Sequence, residues 1–374
     1  MVMKQNSHEK MDAQLGRLEK VRRHIAETGL DGMILAPGPN LRYVTGVNSL
    51  LLERPFLFFV PKDGDPHLVA PTLESGPYIR SPLKMTVHSW DDSEGSSHAF
   101  EELTAQLRLD GKWGAEGRVP FRFIQRILQH AHPDLVDAEG ILQGIREVKE
   151  PVEVQALQRA ASTLSKSFLR IPDMLKTGIT ELKLARKISQ DIYSNGAEYV
   201  SDVLVQSGEF AADPHHLPSN RKLKRNESIV VDAGCTYSGY HADITRTFIM
   251  GKNREFEDLY EHVLASQEAA IEVSRSGASV GSIDNAARSC LKRKDLDQYF
   301  IHRTGHGLGL EVHESPYIVP EGKQIVLASM VFTIEPGVYF PGKMGVRIED
   351  DVLATDRGCK VLTRKLPKEF EWWK

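Results

Sequence analysis

Only three cysteines, Cys235, Cys290 and Cys359, occur in 374 residues, far apart and without a C-x-x-C pair. A disulfide framework or thiolate metal site is therefore not expected, and the three read as small core residues. Long apolar runs are missing too: none approaches the ~20 residues that cross a bilayer, and the opening MVMKQNSHEKMDAQ lacks the apolar segment of a secretory signal. These absences predict a cytoplasmic chain with no membrane partner. Nor is there a basic excess. With a formal charge of −4 and a pI of about 6.4, the chain offers no footprint for a phosphate backbone, so nucleic acid is not an expected partner. The RKLKR run at 221–225 reads as a solvated turn before a strand. The dinucleotide fingerprint G-x-G-x-x-G is also absent from the glycine-rich stretch GHGLGLEVHESP (305–316), which spaces its glycines as G-x-G-x-G.

What is present suits about two well-cored globular domains. An amphipathic helix opens the chain, with Met11, Leu15, Leu18, Val21 and Ile25 at three- and four-residue steps. GMILAP, NLRYVTG, PFLFFVP and HLVAP read as strands, and helices are expected near 99–108 and 121–131, giving an α/β domain over 1–148. A new helical period starts at Pro151, and the second domain is placed at 149–374. It carries a weak internal echo. Gly178-Ile179-Thr180 and Gly277-Ala278-Ser279 each open a helix that is followed by strands.

The chemistry gathers in this second half. In NESIVVDAGCTYSGYHADITRTFIM (226–250), Ser238-Gly239 is a hairpin turn. Pairing Tyr237 with Tyr240 sets Asp232 opposite Thr245 and puts Asp243 diagonally on the same face, with Cβ atoms roughly 7–8 Å apart. The apolar run Ile229-Val230-Val231 marks a strand covered on both sides, so a carboxylate following it needs a partner. VFTIEPGVYFPGKMGVRIEDDVL (331–353) repeats the device around Pro341-Gly342-Lys343, setting Glu335 opposite Glu349. Two acids facing across a ladder repel unless one is protonated or a cation intervenes, and Arg347 alone cannot neutralise four carboxylates.

His306 adds an imidazole to Asp232, Asp243, Glu335 and Glu349. Oxygen-rich ligation with one nitrogen suits manganese, cobalt, iron or zinc, and four acids can hold two dications that activate a water for hydrolysis. His313 follows seven residues after His306. That odd spacing sends the two to opposite faces of a regular strand, so a shared site requires the intervening glycines to bend the chain.

At this constellation the sequence resembles the Xaa-Pro dipeptidase (prolidase) and aminopeptidase P family, through VDAGCTYSGYHADITRTF, HRTGHGLGLEVHESP, TIEPGVY and VRIEDDV in the family's order; LDGMILAPGPNLRYVTG extends the likeness into the first half. The resemblance implies an α+β protein with an N-terminal α/β creatinase-like domain and a C-terminal pita-bread catalytic domain. It also implies two divalent ions per chain, first among them Mn2+, with Co2+, Zn2+ or Fe2+ as alternatives. Asp232 would bind one ion, His306 and Glu335 the other, and Asp243 and Glu349 would bridge. Glu335 would also shuttle the proton, His215 would lie near the scissile nitrogen, and His313 would contact the substrate carbonyl. His302 and Arg347 match substrate-side or supporting positions. The implied activity is hydrolysis of the bond before proline in dipeptides or short peptides, by a homodimer. A hydrolase of small amides or cyclic metabolites on the same fold is the alternative; a non-catalytic binding module is disfavoured because every ligand is retained.

Overall fold

The structure, a computed structural model, describes residues 2–369 and divides into two compact units, 1–145 and 146–374. In the first, six strands form one sheet of order β4-β3-β2-β1-β5-β6: β1 Gly32–Leu35, β2 Leu57–Pro61, β3 His67–Pro71, β4 Thr86–Trp90, β5 Lys112–Ala115 and β6 Asp134–Asp137. The antiparallel β2–β3 hairpin turns through Lys62–Asp65 as its KDGD sequence predicts, whereas β3–β4, β1–β5 and β5–β6 are parallel. Helices α1 Val2–Glu27, α2 Pro39–Thr45, α3 Thr72–Ile79, α4 Ser97–Gln106, α5 Phe121–Leu128 and α6 Glu139–Glu147 connect or flank these strands. Within α1, Leu18, Val21 and Ile25 are buried, but Leu15 is exposed.

NLRYVTG, expected as a strand, is instead helix α2. Its β-branched and aromatic content misleads because the punctuation decides the conformation. Pro39 occupies the first helical turn, where no N–H is needed, and Gly46 takes the left-handed C-terminal position at φ 71°, donating its N–H to Arg42 O.

The second unit adds helices α7 Pro151–Phe168, α8 Ile171–Met174, α9 Glu181–Ser194, α10 Arg254–Val273 and α11 Val280–Lys292. Its strands are β7 Tyr199–Val200, β8 Leu204–Ser207, β9 Ser228–Tyr237, β10 Tyr240–Ile249, β11 Gly305–Gly307, β12 Glu314–Ile318, β13 Val331–Ile334, β14 Gly337–Phe340, β15 Met344–Arg347, β16 Asp350–Thr355 and β17 Gly358–Val361. They make a four-stranded sheet around β9, a five-stranded sheet β12-β11-β13-β16-β17 and the β14–β15 hairpin.

The internal echo has a structural counterpart. Gly178 and Gly277 both have φ 86°, and Thr180 and Ser279 both cap the following helix by accepting a backbone N–H. Thr180 bridges Lys222 while Ser279 bridges Ile325, and the N–H groups of Gly178 and Gly277 donate to Leu223 O and Val326 O. Each half has its own core. Leu164, Phe168, Leu184, Ile188, Ile229 and Val231 fill one, and Val263, Ile283, Ala287, Phe332, Ile334 and Val346 fill the other. Such side chains stabilise by roughly 1.5–3 kcal/mol each when fully buried. Cys235 lies in the first core as expected; Cys290 and Cys359 are only half-buried, and all three thiols are free.

Candidate metal centre

The β9–β10 hairpin adopts the register read from its sequence, with Tyr237 facing Tyr240, Asp232 facing Thr245 and Asp243 facing Gly234. Ser238 and Gly239 both take positive φ, 51° and 76°, as a tight turn between twisted strands requires. The second pair of acids is held less regularly. The β13–β16 and β14–β15 ladders share one register, which sets Glu335 opposite Glu349, yet pairing lapses between them. Pro336 has no N–H to give, and the two acids turn to other strands: Glu335 N–H donates to Thr304 O at 2.8 Å and Glu349 N–H to Thr245 O at 3.1 Å. The gap in the ladder is what lets both carboxylates join the β9–β10 acids.

His306 arrives on β11. Helix α11 supports the segment leading to it: buried Asp284 accepts from the Thr304 hydroxyl at 2.7 Å and pairs with Arg288, which donates to Phe300 O and His302 O. The register breaks between His306 and Gly307, and the His313 ring returns to meet the His306 ring edge-on, centroids 4.2 Å apart.

Asp243, His306 and Glu349 bring one ligand atom each within 4.8 Å of one another. Glu335 Oε1 lies 3.4 Å from His306 Nε2. Asp232 adds its negative charge to the repulsion felt by Asp243, Glu335 and Glu349. The structure thus brings all five candidate ligands into one neighbourhood.

Electrostatics test whether a cation fits. Burial, followed by repulsion from Asp232, Asp351 and Glu335, raises the Asp243 pKa well above the ordinary carboxylate range. Burial and Asp243 do the same to Glu349, and burial, with Asp232 adding to it, lifts Glu335 to about 7. Burial and His313 push the His306 pKa well down, so its imidazole is neutral and able to ligate. Several crowded acids beside a neutral imidazole, with too little positive charge to compensate them, form a donor set suited to divalent cations.

Arg347 pairs with one of these acids, Asp232, and with two hydroxyls. Its Nη2 donates to Asp232 Oδ2 at 2.7 Å, its Nη1 to the Tyr339 hydroxyl at 2.9 Å and its Nε to Thr245 Oγ1 at 3.2 Å. Thr245 in turn donates to Glu349 Oε2 at 2.7 Å. His302 closes this network: its Nε2 lies 2.8 Å from the Tyr339 hydroxyl and its Nδ1 2.7 Å from Arg303 O. With Nδ1–H donating to that carbonyl, Nε2 accepts from Tyr339. Burial and Arg347 hold the His302 pKa near 3, keeping it neutral.

His215 lies exposed in its loop, close enough to His302 and His313 to disfavour their protonation. Its neighbour His216 instead stacks on Phe210 at 4.3 Å and faces buried Glu181 at 3.3 Å. Sequence reasoning passed over Thr245, Asp351 and the hydroxyl of Tyr339. Two-residue alternation counted from Glu335 was the available signal for Tyr339, four residues on. Asp351, whose carboxylate accepts the Asp243 N–H at 3.3–3.4 Å, gives no such sign.

Comparison with known proteins identifies the family and the fold. Residues 155–356 match the model of metallopeptidase family M24, and residues 17–148 match the creatinase/prolidase N-terminal domain. A probable dipeptidase PepE from Mycobacterium bovis is 36% identical over 354 residues, 92% of each chain. Among solved structures, a prolidase from Thermococcus sibiricus is 36% identical with a TM-score of 0.87, covering 93% of this chain and 96% of its own. An Xaa-Pro dipeptidase from Bacillus anthracis is 25% identical with a TM-score of 0.88, covering 96% and 99%. The arrangement is therefore the α+β creatinase-like and pita-bread pair.

Proposed function

Because the chain belongs to metallopeptidase family M24 and carries the creatinase/prolidase N-terminal domain, we propose that it is a dinuclear enzyme hydrolysing the peptide bond before proline in dipeptides or short peptides. The observation that carries this reading is the convergence of Asp243, His306 and Glu349, with Glu335 beside His306, in a largely buried cluster. Asp232, Asp243, His306, Glu335 and Glu349 would hold two divalent ions, with manganese the first candidate for this oxygen-rich set. When bound, such ions lower the pKa of water and polarise a carbonyl oxygen.

The rest falls to the chain's own groups. Glu335, the acid beside His306, takes a proton from the attacking water and returns it to the proline nitrogen. That nitrogen is a tertiary amide without an N–H, so it needs this proton to leave as an amine when the C–N bond breaks. His313, kept below its usual pKa first by partial burial and then by Arg303, is a neutral donor for the substrate carbonyl. His215, near enough to His302 and His313 to disfavour their protonation, would assist at the scissile nitrogen. The Arg347–Asp232 ion pair and the Arg347–Tyr339–His302 hydrogen bonds fix the metal-side carboxylate and keep His302 in one tautomer. The similarity to prolidases also favours a homodimer, and three free thiols suit a cytoplasmic setting; among the described residues no helix is long and apolar enough to cross a membrane.

The test is to strip the protein of metal, reload it separately with manganese, cobalt, zinc or iron, and assay a proline dipeptide, a longer Xaa-Pro peptide and a non-proline dipeptide. The expected result is metal-dependent cleavage confined to the proline substrates. Full activity in the stripped protein, or equal turnover of the non-proline control, overturns the reading.

A further inference from the structure

A second ion cluster, distinct from the metal-binding acids, surrounds the loop that carries His313. Arg146, in the last turn of α6, and Lys149, between α6 and α7, converge on Glu314. Lys149 Nζ donates to Glu314 Oε1 at 2.9 Å; Arg146 Nη2 donates to Glu314 Oε2 and, at 2.9 Å, to Glu311 Oε2. The Arg146, Lys149 and Glu314 side chains are 3%, 0% and 5% exposed. The same carboxylate accepts the Glu311 N–H at 3.3 Å and lies so near Gly309 that a Cβ there would fall 2.3 Å from it. Gly309 N–H donates to Glu311 O, and Gly309 O accepts from His241 N–H. Residues 309–314 are thus wrapped around one carboxylate. The cations are themselves anchored, since Lys149 N–H donates to Ser329 O and Val148 bridges Met330 just before β13.

Burying three charges is a poor way to gain stability, because their desolvation offsets most of their attraction; apolar packing would serve as well. What the cluster supplies is direction. We propose that Glu314, clamped by Lys149 and Arg146, is a positioning residue that holds His313 edge-on to His306, so that two cations at the start of the second unit set the geometry of a substrate-side histidine. The inference rests on the role given to His313 above.

The test uses the metal-loaded enzyme carrying Glu314→Gln together with Lys149→Met, a pair that leaves Arg146 matched by Glu311. Metal content should stay at the wild-type level, kcat for a proline dipeptide should fall on the order of tenfold, and amides of 309–313 should exchange with deuterium faster. Adding His313→Ala should reduce kcat no further than His313→Ala alone. Unchanged kcat with unchanged exchange, or losses that multiply with His313→Ala, overturn the proposal. Lys149→Met alone, which keeps Arg146 on Glu314, provides the same readouts where the paired variant loses metal or fold. Should His313→Ala itself leave kcat and KM untouched, the role of His313 is wrong, while the exchange data still decide whether the clamp holds the loop.

Discussion

The rings of His306 and His313 meet at 87° with centroids 4.2 Å apart, although seven residues separate them and a regular strand would send them to opposite faces. Close backbone approach makes this possible. An added Cβ would fall 1.9 Å from Thr333 O at Gly305 and 2.3 Å from Ser315 O at Gly307. The glycines therefore admit neighbouring strands and loops as well as letting the chain bend.

Gly307→Ala is accordingly expected to destabilise by at least about 1–3 kcal/mol and to weaken metal binding, because the clash is with backbone that cannot step aside. Gly144→Ala, in α6 with nothing within 4 Å of the added atom, should be neutral or stabilising by roughly 0.5–1 kcal/mol. Thermal melts and metal titration of the two variants provide the check; equal behaviour would remove the close-approach argument.

Tyr339 is the shared hydrogen-bond partner of Arg347 and His302, and Gly337 leaves space for its hydroxyl, which lies 2.4 Å from where a Cβ would sit. Tyr339→Phe strands one donor on Arg347 and the acceptor on His302, a loss of about 1–3 kcal/mol in a buried setting. We expect kcat/KM to drop on the order of tenfold with metal content retained. Arg347→Lys should be more severe, since an ammonium cannot make the separate contacts to Asp232, Tyr339 and Thr245 in one geometry. Steady-state kinetics alongside metal analysis distinguish these outcomes from simple loss of metal.

Metal binding should release protons. Burial and mutual repulsion raise the pKa values of Asp243, Glu349 and Glu335, so near pH 6 the metal-free cluster holds protons that free carboxylates would have lost. A dication must displace them, which makes affinity rise with pH through about 7. Manganese titrations by calorimetry at pH 6, in two buffers of different ionisation enthalpy, should show net proton release. Buffer-independent heats would show that the acids are already ionised and the proposed crowding absent.

Much of this centre was legible because β structure converts spacing into position. The turn residues Ser238-Gly239 and Pro341-Gly342-Lys343 fix the registers, and the registers dictate that Asp232 faces Thr245 and Glu335 faces Glu349. Contacts between separate strands were not legible. Nothing local indicates that Thr245 reaches Glu349 or that Asp351 lies behind Asp243, since each contact spans more than a hundred residues. The NLRYVTG segment failed for the opposite reason: its composition favours a strand, but one proline and one glycine at its ends outweigh it.

Glu116, far in sequence from the candidate metal ligands, carries a separable pH signature. Its carboxylate is 2% exposed and accepts from Ala36 N–H and Asn40 Nδ2, both at 2.6 Å, yet burial outweighs those bonds and lifts its pKa to about 7. A raised folded-state pKa means the folded protein grips this proton more tightly than the unfolded chain does. The resulting contribution is complete below the unfolded pKa of about 4.5 and is lost as pH rises through about 7, amounting to at most about 3 kcal/mol. Glu116→Gln cannot ionise. At low pH it should be less stable than the wild type, because its amide turns an N–H toward one of two donors; that deficit should shrink as pH climbs from 4.5 to 7. Melting temperatures of both proteins across this range decide the matter, and a gap that stays constant with pH would mean that Glu116 is already charged in the fold.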